Sequence, residues 1–156
     1  MLQIKWKQLL LCLGIPLSVG GLSALLTSGS MEQFSALRQP PLSPPGWLFP
    51  VAWTILYLLM GLASYLVLMQ DKSRQKQTAL LFYGVQLAVN FVWPLFFFNG
   101  RQYLLSFIWL VLLWCLIWLV LILFYRISKS VGYLLIPYLL WVTFAGYLNF
   151  GIYLLN

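Results

Sequence analysis

The side chains in this sequence best suited to bind or react are indoles, phenols and amides set at helical spacing. Trp53, Tyr57 and Met60 recur at i, i+4 and i+7 in an uncharged run, and Gly61 and Ser64 continue near that face. Pro44, Pro45, Gly46 and Pro50 mark a loop turning into a helix, with Trp47 at its mouth. Gln86 and Asn90 lie four residues apart in another apolar run, on one face with Phe82, Trp93 and Phe97. Trp141, Ala145, Leu148 and Asn149 share a third face. Amides in hydrocarbon are costly, so Gln86 and Asn90 are expected to face protein or a cavity, as ligand contacts or as interhelical hydrogen bonds. Together these groups offer stacking surface and a few polar anchors, suited to a flat, largely apolar ligand.

Other chemistry is excluded by what is missing. The chain has no histidine, and its two carboxyl side chains, Glu32 and Asp71, fall in connections expected on opposite sides of a membrane. Paired-carboxylate acid–base catalysis is therefore out, and no cluster of metal ligands is available. Intramembrane carboxylates that would couple ion transport are absent too. The formal charge of +7 does not indicate nucleic acid, because the basic residues are scattered over termini and connections rather than striped along a helix. Cys12 and Cys115 lie within apolar runs and are expected to be free thiols acting as filler.

The elements that carry these residues are membrane spans. The chain is 63% hydrophobic and 7% charged, far from the ~25% charged fraction of soluble domains. Five stretches, about 8–26, 46–69, 78–98, 102–125 and 130–154, are each long enough for a hydrocarbon core that needs ~20 helical residues. The expected fold is an all-α integral membrane bundle of five transmembrane helices, one unit over residues 1–156 with a long loop at 27–45. A cytoplasmic N-terminus puts Lys5, Lys7, Lys72, Arg74, Lys76, Arg126 and Lys129 inside and only Arg38 and Arg101 outside, which favours that orientation, with the C-terminus outside. Lys5 and Lys7 before an apolar run also fit a secretory leader, but the run is longer than usual and no clean small-x-small site follows.

Smaller features set further expectations. Gly14, Ser18 and Gly21 form a narrow strip on the first span, expected to let another helix approach. Residues 30–34 suit one or two helical turns within the long loop. Gly84 and Ala88 make a small-xxx-small pair that a second subunit could use. The fourth span is expected to be scaffold, with Trp6, Trp109 and Trp118 at membrane interfaces. Pro137 is expected to kink the fifth span.

At this point the motifs resemble a known family. The run over residues 44–61, then residues 86–93 with Gln86, Asn90 and Trp93, then Pro137, Tyr138, Trp141 and Asn149 on the last span, are similar to three motifs of the TspO family. That family comprises the tryptophan-rich sensory proteins and translocator proteins, also called peripheral benzodiazepine receptors. The resemblance covers nearly the whole chain and implies a five-helix bundle, commonly a homodimer, with a pocket closed by the long first loop. It implies binding of porphyrins, protoporphyrin or haem, and of aromatic drug-like molecules, with no cofactor required. Carried over by motif, the ligand-binding residues are Trp47, Trp53, Tyr57, Asn90, Trp93, Trp141 and Ala145. A bacterial cell membrane is the implied location.

The leading expectation is a receptor-like porphyrin-binding protein serving porphyrin handling or stress signalling. A second is an enzyme that breaks down protoporphyrin with light and oxygen, with Trp53 and Trp141 as the catalytic indoles. A third is a porphyrin or small-molecule transporter, although internal repeats are lacking. Two departures from the family pattern matter. Phe34 stands where some relatives have a tyrosine. The cholesterol motif keeps Leu148 and Tyr153, but no lysine or arginine follows before Asn156, so sterol binding through it is not supported. Arg38 is a candidate partner for porphyrin carboxylates, against the plainer reading of a solvated loop charge.

Overall fold

A computed structural model describes residues 3–156, so residues 1 and 2 of the expected single unit lie outside the described residues. The order is α1 (Trp6–Thr27), a 3-10 turn (Ser28–Ser30), α2 (Met31–Ser35), α3 (Leu48–Leu68), α4 (Arg74–Pro94), a wide π turn (Leu95–Asn99), α5 (Tyr103–Ile127), α6 (Lys129–Tyr133) and α7 (Ile136–Leu155). Five helical stretches are long and apolar enough to cross a membrane, and the described residues contain no strand. Residues 36–47, together with α2, form a lid over one end of the bundle.

Local chemistry explains the boundaries. Ser73 caps α4 by accepting the Lys76 N–H at 3.1 Å, and Pro50 occupies the first turn of α3, where a missing N–H leaves no bond unmade. Pro137 does more than the expected kink. Its ring would clash with the carbonyl one turn back, so the fifth span ends α6 at Tyr133, turns, and restarts as α7 with Pro137 in its first turn. At the end of α4, Pro94 cannot donate and the helix widens, the Gly100 N–H reaching the Leu95 carbonyl at 2.9 Å. The turn then forces Arg101 into the left-handed region at φ 50°, a conformation costing on the order of 1 kcal/mol for a non-glycine residue.

The helices form an incomplete ring. α1 packs on α3 and α4, α4 on α5, and α5 on α7, whereas the backbones of α3 and α7 do not pack closely. The closest backbone approach of α1 to α3 is not along the expected strip. A Cβ at Gly14 or Gly21 would meet nothing within 4 Å, whereas one at Gly61 would lie 2.7 Å from the Cys12 carbonyl oxygen. Gly20 is the other tight position, its face occupied by the Tyr57 ring. A small residue on a membrane helix permits contact without saying which of several does so, because the partner's bulk decides. Gly84 and Ala88 both face outward.

Candidate functional site

Buried polar groups in an apolar interior are costly without partners, and four of them find partners across helices. The Tyr57 hydroxyl on α3 donates to Asn90 Oδ1 on α4 at 3.0 Å. Asn90 Nδ2 donates to the Tyr138 hydroxyl on α7 at 2.7 Å, and that hydroxyl donates to Gln86 Oε1 at 2.8 Å. All four side chains are buried, Gln86 to 1% exposure and Tyr138 to 2%. The chain of donors thus ties three helices together at mid-bundle. Gln86 Nε2 also approaches the Met60 sulfur at 3.9 Å, a weak contact.

Aromatic rings fill the seam that the α3 and α7 backbones leave between them. Trp53 stacks on Tyr57 with centroids 5.6 Å apart and meets Tyr138 edge-on at 6.2 Å. Across the seam, Phe49 meets Trp141 edge-on at 6.0 Å, and Ala145 lies buried one turn along α7. The Trp141 Nε1 is buried and has no hydrogen-bond partner. An indole N–H left unpaired in a dry interior is costly, and it is aligned for nothing in the chain itself.

The sequence-derived candidates therefore separate. Trp53, Tyr57 and Asn90 come together with Tyr138, and Trp141 and Ala145 lie on the α7 wall of the same seam. Trp93 belongs to a second node. It stacks on Phe97 at 5.2 Å and donates to Asn149 Oδ1 at 3.0 Å, an oxygen that also accepts from Ser106 at 3.1 Å. Trp47 stands apart at 68% exposure. Phe49 and Tyr138 were not among the candidates. Tyr138 lies three residues before Trp141, close enough on a helix to have been included. Trp109, expected at an interface, instead donates to the Val89 carbonyl at 2.8 Å and fastens α5 to α4, while Trp6 and Trp118 are exposed.

The lid is fixed to α7 at three points. Asn156 pairs with the Arg38 backbone in both directions, accepting at 3.1 Å and donating at 3.0 Å. Pro40 is buried against Gly151, where a Cβ would lie 2.6 Å from the Pro40 Cβ, and Tyr147 donates to the Pro41 carbonyl at 2.7 Å. On the α4 side Phe34 meets Phe97 and Phe98 with centroids at 5.7 and 5.1 Å, and Ser30 donates to Asn99 at 2.7 Å. It is the backbone of Arg38 that takes part in these contacts, and the residue as a whole is exposed. Two depressions lie elsewhere. One of about 300 Å³ runs between α5 and α7 beside Trp114 and Gly146, and one of about 610 Å³ sits by Arg101 and Tyr153.

The sequence as a whole has close relatives. A family model described as the TspO/MBR family matches residues 12–155. The chain is 39% identical over 155 residues to a "Tryptophan-rich protein TspO" of Chlorobaculum tepidum, covering 96% of this chain and 98% of that one. It is 36% identical over 140 residues to "Protein CrtK" of Rhodobacter capsulatus, covering 88% and 85%. The similarity extends to a "Translocator protein" of Bos taurus at 34% over 137 residues, covering 85% and 81%.

Proposed function

The chain belongs to the TspO/MBR family and is an integral membrane protein, and from that premise we propose that it is a receptor for porphyrin-like tetrapyrroles and other flat aromatic molecules. The ligand enters the α3–α7 seam and stacks against Trp53 and Trp141, with Tyr57, Asn90 and Ala145 shaping the wall. The observation that carries this reading is the Trp141 Nε1, buried among rings with no acceptor. A tetrapyrrole supplies both a ring face and acceptor atoms, and its docking, with the seam rings moving apart to admit it, satisfies that donor. The names of two relatives, TspO and CrtK, fit a tetrapyrrole-related role.

Quenching of tryptophan emission by protoporphyrin in nanodiscs tests it. Trp141→Phe keeps the ring and removes the donor, and the account expects affinity to fall about tenfold, the value of one well-placed polar contact. Trp47→Phe should bind as wild type. Wild-type affinity in Trp141→Phe would count against the seam as the site.

The ring contacts of Trp53 with Tyr57 and Tyr138 favour a second reading, photo-oxidative porphyrin breakdown. In it a photoexcited porphyrin takes an electron from Trp53, the porphyrin radical anion adds dioxygen at a methine bridge, and the adduct returns the electron to the Trp53 radical cation, so that both oxygen atoms end in the macrocycle and the indole is restored. Loss of the porphyrin absorption band under light at the same rate in Trp53→Phe as in wild type would remove this reading.

A further inference from the structure

The depression of about 610 Å³ at the lid end lies outside the seam and has a two-tier lining. Its polar tier is Arg101, Gln102 and Asn156, at the turn between α4 and α5 and just beyond α7. Beneath it lie Leu104 and Leu105 on the first turn of α5, 44% and 40% exposed, with Tyr153 from the last turn of α7 beside them. The ends of two membrane helices thus present a cation above an open apolar face, at the depth where a bilayer changes from headgroup to hydrocarbon.

Charge decides what fits. Neither acidic side chain of the chain is placed to neutralise Arg101: Asp71 sits in the turn at the opposite end of the bundle, and Glu32 belongs to α2, which does not line the depression. The backbone of Arg38, the other basic residue at this end, is hydrogen-bonded to Asn156. A guanidinium matches phosphate geometry through paired N–H donors, and Gln102 and Asn156 add further donors around it. No acidic side chain lines the depression.

From this we infer that the depression is a binding site for an anionic phospholipid, the phosphate at Arg101 and the acyl chains running down past Leu104, Leu105 and Tyr153. The site adds a lipid-recognition function that is independent of the aromatic seam. It also touches the lid, because Asn156 belongs both to the lining and to the lid's attachment.

Arg101 is the residue to change, since it is exposed and its loss removes charge without unpinning the lid. Native mass spectrometry would measure retention of phosphatidylglycerol by protein taken from phosphatidylcholine vesicles containing a minor fraction of it. Arg101→Gln is expected to weaken that retention about tenfold, Arg101→Lys to weaken it less, and Arg38→Gln to leave it unchanged. Thermal melting of each variant at the wild-type temperature excludes a folding defect, and excess inorganic phosphate is expected not to displace the lipid. Wild-type retention by Arg101→Gln, equal loss in Arg38→Gln, equal retention of phosphatidylcholine, or displacement by inorganic phosphate would each overturn the proposal.

Discussion

Tyr138 carries more than its share of the interior. Its hydroxyl accepts from Asn90 and donates to Gln86, so Tyr138→Phe leaves two buried amides each short of a partner. The expected cost is about 1–3 kcal/mol, whereas Tyr57→Phe deprives only Asn90 Oδ1 and should cost about 1 kcal/mol. Thermal unfolding in detergent checks the ranking, and equal melting temperatures for the two variants would contradict the network as drawn. Gln86 and Asn90 were legible from the sequence because an amide in an apolar span is costly unless it meets a partner. Tyr138 was not, since a tyrosine in a membrane helix reads equally well as an interfacial anchor, and its worth comes from residues on another helix. Trp47 differs: its type and position suited ligand contact, and in the fold it stands exposed, with no neighbouring helix covering it.

Helices and lid behave as separate devices. Gly61 sets the α1–α3 approach, and Gly61→Val, pushing a branched side chain onto the Cys12 carbonyl, should destabilise the protein by roughly 1–3 kcal/mol in the same melting assay. The lid depends on Asn156, whose side chain imitates a strand partner for the Arg38 backbone. Asn156→Ala removes both hydrogen bonds to the Arg38 backbone, and trypsin cleavage after Arg38 should accelerate about fivefold while cleavage at Arg126 stays unchanged. An unaltered rate at Arg38 would mean that Pro40 and Tyr147 hold the lid without Asn156. The lid's helical start at residues 31–35 agrees with the pattern in the sequence, because capping and turn signals are local. Its attachment to α7 spans more than a hundred residues of chain, and nothing in the local sequence marks it.

Taken whole, the molecule is a ring of five long helices in which one junction, α3 with α7, is closed by side chains instead of backbone contact. Span number and approximate limits followed from apolar length alone, which the bilayer dictates. The order of helices around the ring did not, because all five are apolar on most faces and their small residues fit several pairings. That side-chain junction is where the account puts its ligand, and the position of the ligand among the eight tryptophans is what most needs measuring. Fluorine NMR of 5-fluorotryptophan-labelled protein, titrated with protoporphyrin, reads each indole separately through the ring current of the bound macrocycle. The account predicts that the Trp53 and Trp141 resonances move together on saturation while those of Trp6, Trp47 and Trp118 stay in place. Shifts confined to Trp47, or to Trp114 in the α5–α7 groove, with Trp53 and Trp141 unmoved, would contradict it.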